Sequence, residues 1–410
     1  MRRSELFATV SKETETGLEC RSAELMVKAG LVKNFGSGTW SYTHLGKKVL
    51  DNIEEVVGRE MNLVSQEVKM HQLQTSEIWK QSGRWENFEG DEFFTLENRD
   101  GKDFTIAATH EEAATALAQD HINSYRDLDL AFYQIGRKFR DDHARKGLLR
   151  AKEFIMKDAY SFHRNQEGLN RKYREFLEAY RRIFQQLGLE YSEVEADNGD
   201  MGGNRSHEFI AESEEGSDTC LKCVNKACNY GTKQMNEENC GECGSDLEKV
   251  NGIEIGHCFQ LGDRYTQEDA IGLTYTTESG EEKEVLMASY GIGVSRLISA
   301  IIEQNNDENG ITWNATVSAY ENAVIVARHE DEVRQKAEEI YNALSSETTL
   351  FYDDEQSVGE QFAEADLIGI NRKIILGNNY LENGEIEIEH RNGDTRKVEG
   401  LEELKEVITS

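Results

Sequence analysis

Residues 139–162 read FRDDHARKGLLRAKEFIMKDAYSF. Arg140, Arg145, Lys146 and Arg150 surround Gly147, and the acid–aromatic pair Glu153-Phe154 follows. With LAFYQIGRKFR running up to it, the stretch predicts one strand, a charged loop, and a second strand within LLRAKEFIMKDAYSF. Guanidinium groups on such a loop suit a polyphosphate, and Phe154 offers an aromatic face to a base. Alone, a charged hairpin loop is more often a solvated turn, so the rest of the chain has to decide.

A chain of 410 residues exceeds one hydrophobic core and predicts two or three domains. Its 38% hydrophobic and 30% charged residues suit a soluble globular protein. No apolar run approaches the roughly 18 residues of a membrane span, and the start MRRSELFATVSKE lacks the apolar block of a secretory signal. We therefore expect a cytoplasmic protein without membrane contact. The formal charge of −32 means that any nucleic-acid partner must meet local basic patches, of which 137–157 and 171–182 are the densest. There is no proline, where ordinary usage of about 5% would give roughly twenty. Turns that proline would have stiffened must be held in other ways.

Two C-x-x-C pairs, CLKC and CGEC, supply Cys220, Cys223, Cys240 and Cys243. Four thiolates at this spacing predict a closed, structural zinc site, with Cys228 as an alternate ligand. The SYGIGVSRLISAIIE segment predicts a strand end, Gly291 and Gly293, then a helix carrying Arg296, an arrangement able to approach a nucleotide.

Helical periodicity marks two amphipathic helices within 22–61 around a Gly/Ser link, a helix after THEEA capped by Thr109, and a long helix over 166–187. The apolar positions Tyr173, Phe176, Tyr180, Ile183 and Phe184 of the long helix read as core. From NAVIVA onward, strands and helices alternate as in a small α/β domain with a mostly parallel sheet.

In this order THEEA, FRDD, LLRAKEFIMKDAYSFH, GHCFQLGDRY and YGIGVSRLI resemble the prolyl-tRNA synthetases of prokaryotic type, and the likeness runs almost end to end. It implies an α+β class II catalytic domain with an antiparallel sheet over 1–315, holding a zinc-knuckle insertion at 213–250. An α/β anticodon-binding domain would occupy 316–410. It also implies a homodimer that uses ATP, Mg2+, L-proline and tRNA(Pro).

Carried over by the resemblance, Arg140 bridges the α-phosphate and the proline carboxylate, and Arg296 covers adenine opposite Phe154. Arg150 lies near the γ-phosphate. Asp142, Glu153, Gln260, Gly291 and Gly293 complete the ATP site. Thr109 and Glu111 receive the proline ammonium, while Phe162, His257 and Ser289 shape the ring pocket. Asp142 stands where the family has Glu, and Ser289 where many relatives have Cys. The short segment between GGNRSHEF and GHCFQLG implies that the editing insertion of many bacterial relatives is missing. The alternative is an inactive paralogue or redesign that binds tRNA without aminoacylation, although such a protein has no physical need for this full residue set.

Overall fold

β-Branched and aromatic runs in the middle of the chain form strands because their side chains pack on a pleated, half-buried surface. The computed structural model describes all residues except 9, 12–16, 87–92, 197–204, 226, 329, 354–355 and 410. The end of the segment SGRWENF (82–88) and most of ADNGDMGGNR (196–205), both of which belong to the resemblance, therefore fall outside the described residues. Two compact units emerge, one from Met1–Phe35, Trp40–Ile53 and Ile301–Ser410, the other from Gly36–Thr39 and Glu54–Ala300.

The larger unit is built on a nine-stranded sheet. Its centre runs Leu247–Gly262, Leu286–Ile292, Glu153–His163 and Leu130–Phe139, all antiparallel. The predicted strand–loop–strand pair is thus two central strands, although 147–149 is a short 3-10 turn and the second strand begins only at Glu153. Helix Gln166–Gln186 packs on one face of the sheet, with Asn165 capping its N-terminus through a bond from the Gly168 N–H. Its Phe176 ring stacks on Tyr290 with centroids 3.8 Å apart. Gly256 permits this close approach: a Cβ there would lie 3.1 Å from both Phe184 and Tyr180 ring carbons.

The other unit carries a five-stranded sheet in the order Thr349–Phe351, Asn322–Val326, Arg372–Leu376, Ile386–His390 and Thr395–Val398. The first three are parallel, as the alternating pattern predicts. The last two add antiparallel to one side of these three, with Thr395–Val398 at the edge, a hairpin absent from the alternating pattern. Helix Val358–Ile368 begins with a Ser357–Glu360 capping box and ends at Gly369, whose φ of 87° suits glycine.

Candidate active site

Strand alternation sorts the site. Along Glu153–His163 the even-numbered Phe154, Met156, Asp158 and Tyr160 face a cavity of about 340 Å3, and Lys157 points to the helix face, where it donates to Tyr180 Oη. Burial pushes the Lys157 amine down to about 7. On the Leu247–Gly262 strand, His257 and Phe259 line the same cavity and stack on each other at 3.7 Å.

The cavity gathers most of the expected residues. Arg140, just past the Leu130–Phe139 strand, donates from Nε to the Ala108 carbonyl (3.3 Å), and its guanidinium lies 5.7 Å from the Phe154 ring centroid. Arg296 reaches in from the helix that follows Gly293, with Nε on the Leu149 carbonyl (3.1 Å) and Nη1 on the Glu254 carbonyl (2.8 Å). Gly291, Gly293 and Ser289 form part of the wall, as do Thr109 and Glu111. Arg150 is paired with Asp142, and both also line an adjoining cavity of about 510 Å3 that holds Arg145 and Lys146.

Three expected members are not brought to this cavity. Glu153 has the opposite strand parity to Phe154 and pairs with Arg137. Gln260 lies on the helix side, bonded to Gln166 (3.1 Å) and Asn170 (3.0 Å). Phe162 has the cavity's parity but lies beyond Tyr160, fully buried in a cluster with Phe132, Leu261 and Met287. Thr109 is not a helix cap: that position falls to His110, and the Thr109 hydroxyl donates to Glu111 Oε2 at 2.6 Å.

Charged groups unmarked in the sequence support the site from below. Asp158 accepts from Lys138 Nζ (2.6 Å), Gln134 Nε2 (3.0 Å) and Tyr160 Oη (3.0 Å). Burial alone would raise the Asp158 carboxyl, but Lys138 and His110 outweigh it and hold it below the usual range. Glu254 accepts from His257 Nδ1 at 3.2 Å. Burial opposes its charge, yet His257, Arg296 and Lys233 together hold it at about 2. Arg84 meets Glu111 and Glu112. Only solvent-like charge patterning could have announced these residues, and lysines or acids inside strands carry no local signal of being buried.

The cysteines also assemble differently from the expectation. Sulfurs of Cys223, Cys228, Cys240 and Cys243 all lie within 4.8 Å of one another, and Cys220 is not among them. Cys220 and Cys223 sit three apart on the Asp218–Cys223 strand, so they point to opposite faces, and Cys220 packs with Val194, Ile210 and Val250. The Cys223–Cys243 and Cys228–Cys240 separations of 3.5 and 3.7 Å fit tetrahedral zinc, whose sulfurs stand about 3.8 Å apart at a Zn–S length of about 2.3 Å.

Comparison with known proteins fits this geometry. Residues 94–305 match the tRNA synthetase class II core domain (G, H, P, S and T), and residues 322–410 match the anticodon binding domain. The fold and the two matches define a class II aminoacyl-tRNA synthetase. A proline–tRNA ligase of Sulfurimonas denitrificans is 36% identical over 416 residues, 95% of this chain and 94% of the relative. One from Wolbachia is 35% identical over 426 residues, with all of both chains covered. One from Halothermothrix orenii is 32% identical over 542 residues, covering 94% of this chain and 95% of the relative. The chain belongs to the proline–tRNA ligase family. In fold it is similar to the prolyl-tRNA synthetase of Cryptosporidium parvum, solved with halofuginone and AMPPNP: the TM-score is 0.78 at 15% identity, over 99% of this chain and 77% of that one.

Proposed function

We propose that this chain activates L-proline with ATP to prolyl-adenylate and transfers the prolyl group to the 3′ end of tRNA(Pro). The observation that carries this reading is one cavity joining Arg140 to the Thr109–Glu111 pair on one side and to Phe154 and Arg296 on the other. Arg140 neutralises the proline carboxylate and the α-phosphate together, so that the carboxylate oxygen attacks phosphorus as pyrophosphate leaves. The proline ammonium meets Glu111 and the Thr109 hydroxyl. Adenine stacks between Phe154 and Arg296. Arg150 exchanges Asp142 for the γ-phosphate of the magnesium–ATP substrate, and the adjoining basic cavity gives pyrophosphate its way out. A ribose hydroxyl of tRNA then displaces AMP.

In this reading residues 1–315 form the catalytic part and 316–410 the anticodon-binding part, working as a cytoplasmic homodimer. Among the described residues no helix is long and apolar enough to cross a membrane. The Cys223, Cys228, Cys240 and Cys243 sulfurs would hold a structural zinc within 213–250. The alignment to the Halothermothrix orenii ligase runs over 542 positions yet covers 94% of this 410-residue chain, so a long block of that relative has no counterpart here. This supports the absence of an editing insertion, and with it the absence of hydrolysis of mischarged tRNA in cis. A proline-free chain that loads proline can be made without its own product.

Proline-dependent exchange of labelled pyrophosphate into ATP, run without tRNA across all twenty amino acids, tests the reading. Exchange should occur with proline alone. Arg140→Ala should reduce it by about two to three orders of magnitude, the cost of removing a donor from a developing negative charge. A folded protein with no exchange for any amino acid would sink the enzyme reading in favour of the inactive tRNA-binding alternative.

A further inference from the structure

Beneath the ammonium site lies an arginine the reaction scheme does not use. Arg84 is 5% exposed and faces two neighbouring carboxylates, Glu111 at 3% and Glu112 at 0%. Its Nη1 stands 3.3 Å from Glu111 Oε2 and 3.2 and 3.4 Å from the two oxygens of Glu112. Glu112 also accepts from Ser82 Oγ at 2.7 Å. The guanidinium lies 5.1 Å from the Trp79 ring and 5.5 Å from that of Tyr265. Trp79 is fixed in turn by its indole N–H on Gln74 Oε1 (2.7 Å), and Gln74 Nε2 contacts the Thr109 carbonyl at 3.4 Å.

Only one of the two carboxylates, Glu111, lines the cavity. Two adjacent buried carboxylates without a counter-ion would share a proton, because like charges at this range cannot both stay ionised. With both acids ionised and one guanidinium between them the cluster carries a net charge of −1, the complement of one substrate ammonium; burial raises the Glu112 carboxyl, and Arg84 and Ser82 oppose that rise. Arg84 and Thr109 both engage Glu111 Oε2, which sets the direction of the carboxylate toward the cavity.

We propose that Arg84 is a positioning residue for the amino-acid ammonium: it neutralises Glu112 and orients Glu111, so that one carboxylate charge is presented to proline. The proposal rests on the proline-activating reading of this site. It assigns to the SGR segment a part in substrate recognition at one remove from the substrate.

The test compares Arg84→Met, Glu112→Gln and the double variant by pyrophosphate exchange, with L-proline and ATP varied separately. Arg84→Met leaves two acids competing for a proton, and Glu112→Gln leaves Arg84 to neutralise Glu111. Each should raise KM for proline, Arg84→Met by about tenfold or more, because a buried charge has lost its partner. The double variant removes the competing acid, so that the single charge sits on Glu111, the carboxylate that lines the cavity, and should return KM for proline to within a few-fold of the parent. KM for ATP should hardly move in any of the three.

A merely structural role predicts a different pattern. The double variant would then be worse than either single one, and KM for ATP would rise in parallel. That result, or an Arg84→Met variant with unaltered KM for proline, overturns the proposal. If Arg84→Met does not fold, the double variant decides alone: near-parental KM for proline supports the charge balance, and a tenfold increase refutes it.

Melting separates this from failure of the functional reading. The groups facing the two carboxylates are Arg84, Ser82, Thr109 and Tyr265, with Tyr160 and Lys138 acting on Glu111 from the neighbouring strands. At pH 8 the double variant should melt above Arg84→Met, and the gap should close as the pH falls and the spare carboxylate takes up a proton. If the parent shows no exchange, the functional reading fails while this comparison still stands. Equal melting of the two variants at pH 8 would refute the charge balance.

Discussion

His110 and His207 are held neutral by their surroundings. Burial, reinforced by Lys138 for His110 and by Arg205 for His207, pushes each imidazole down to about 4. His110 donates from Nε2 to the His71 carbonyl (3.0 Å), and His207 Nδ1 is 2.9 Å from Tyr173 Oη. Between pH 6.5 and 4 the unfolded chain therefore binds protons at these sites that the folded chain refuses, so stability falls as the pH drops through that window. Each histidine accounts for up to about 3 kcal/mol of that loss. Glu112 and Glu208, raised by burial, act in the opposite sense: they lose stability as pH rises above the usual carboxylate range. The melting temperature of the parent should thus drop between pH 6.5 and 4.5. In His207→Asn, which keeps a polar atom near Tyr173, the drop should be shallower. An unchanged slope would mean that His207 titrates normally in the folded state.

At the scale of elements, the sequence was most informative where periodicity extended over many residues. Helix Gln166–Gln186 buries Tyr173, Phe176, Tyr180, Ile183 and Phe184 as its 3.6-residue pattern requires. Thr109, Arg140, Phe154, His257 and Arg296 share one cavity; the hairpin loop alone related Arg140 to Phe154, and only the resemblance related these two to the other three. Face assignments within strands were less legible. Glu153 and Gln260 would have been excluded had the period of two been propagated outward from Phe154 and His257. In the cysteine set the same parity sends Cys220 to the other face of the CLKC strand, while Cys223, Cys240 and Cys243 cluster with Cys228, the alternate ligand. This distinction predicts the metal content. Cys228→Ser should lose zinc from the purified protein. Cys220→Ser should keep about one zinc per chain and suffer only a packing loss of about 1–2 kcal/mol, since a hydroxyl replaces a buried thiol. Elemental analysis of both variants checks this, and zinc loss in Cys220→Ser alone would restore the set read from spacing.

Over the whole molecule, charge is distributed differently from what counting suggested. The basic runs 137–157 and 171–182 read as a positive face, yet Lys138 and Lys157 are wholly buried. Much of the remainder is engaged: Lys152 with Asp141, Arg171 with Asp129, Arg181 with Glu193, and Arg182 with Glu60. A tRNA backbone meeting this face would have to displace or outbid these carboxylates, against an overall charge of −32. Salt then acts in two opposite directions. For the free protein, added salt screens the repulsion among surplus acids within a Debye length of about 10 Å at 0.1 M, so the melting temperature should rise with ionic strength. For the complex, each phosphate contact releases counterions, and tRNA affinity should fall over the same range. Because the paired arginines already carry carboxylate partners, the logarithmic slope should be shallower than the roughly 0.7–0.9 per basic residue expected for free cations. Melting and tRNA titration at matched salt concentrations measure both. A melting temperature that falls with salt would show that the ion pairs stabilise the fold more than the excess acid strains it, and a slope near the full count of these lysines and arginines would show that tRNA binding breaks the pairs open.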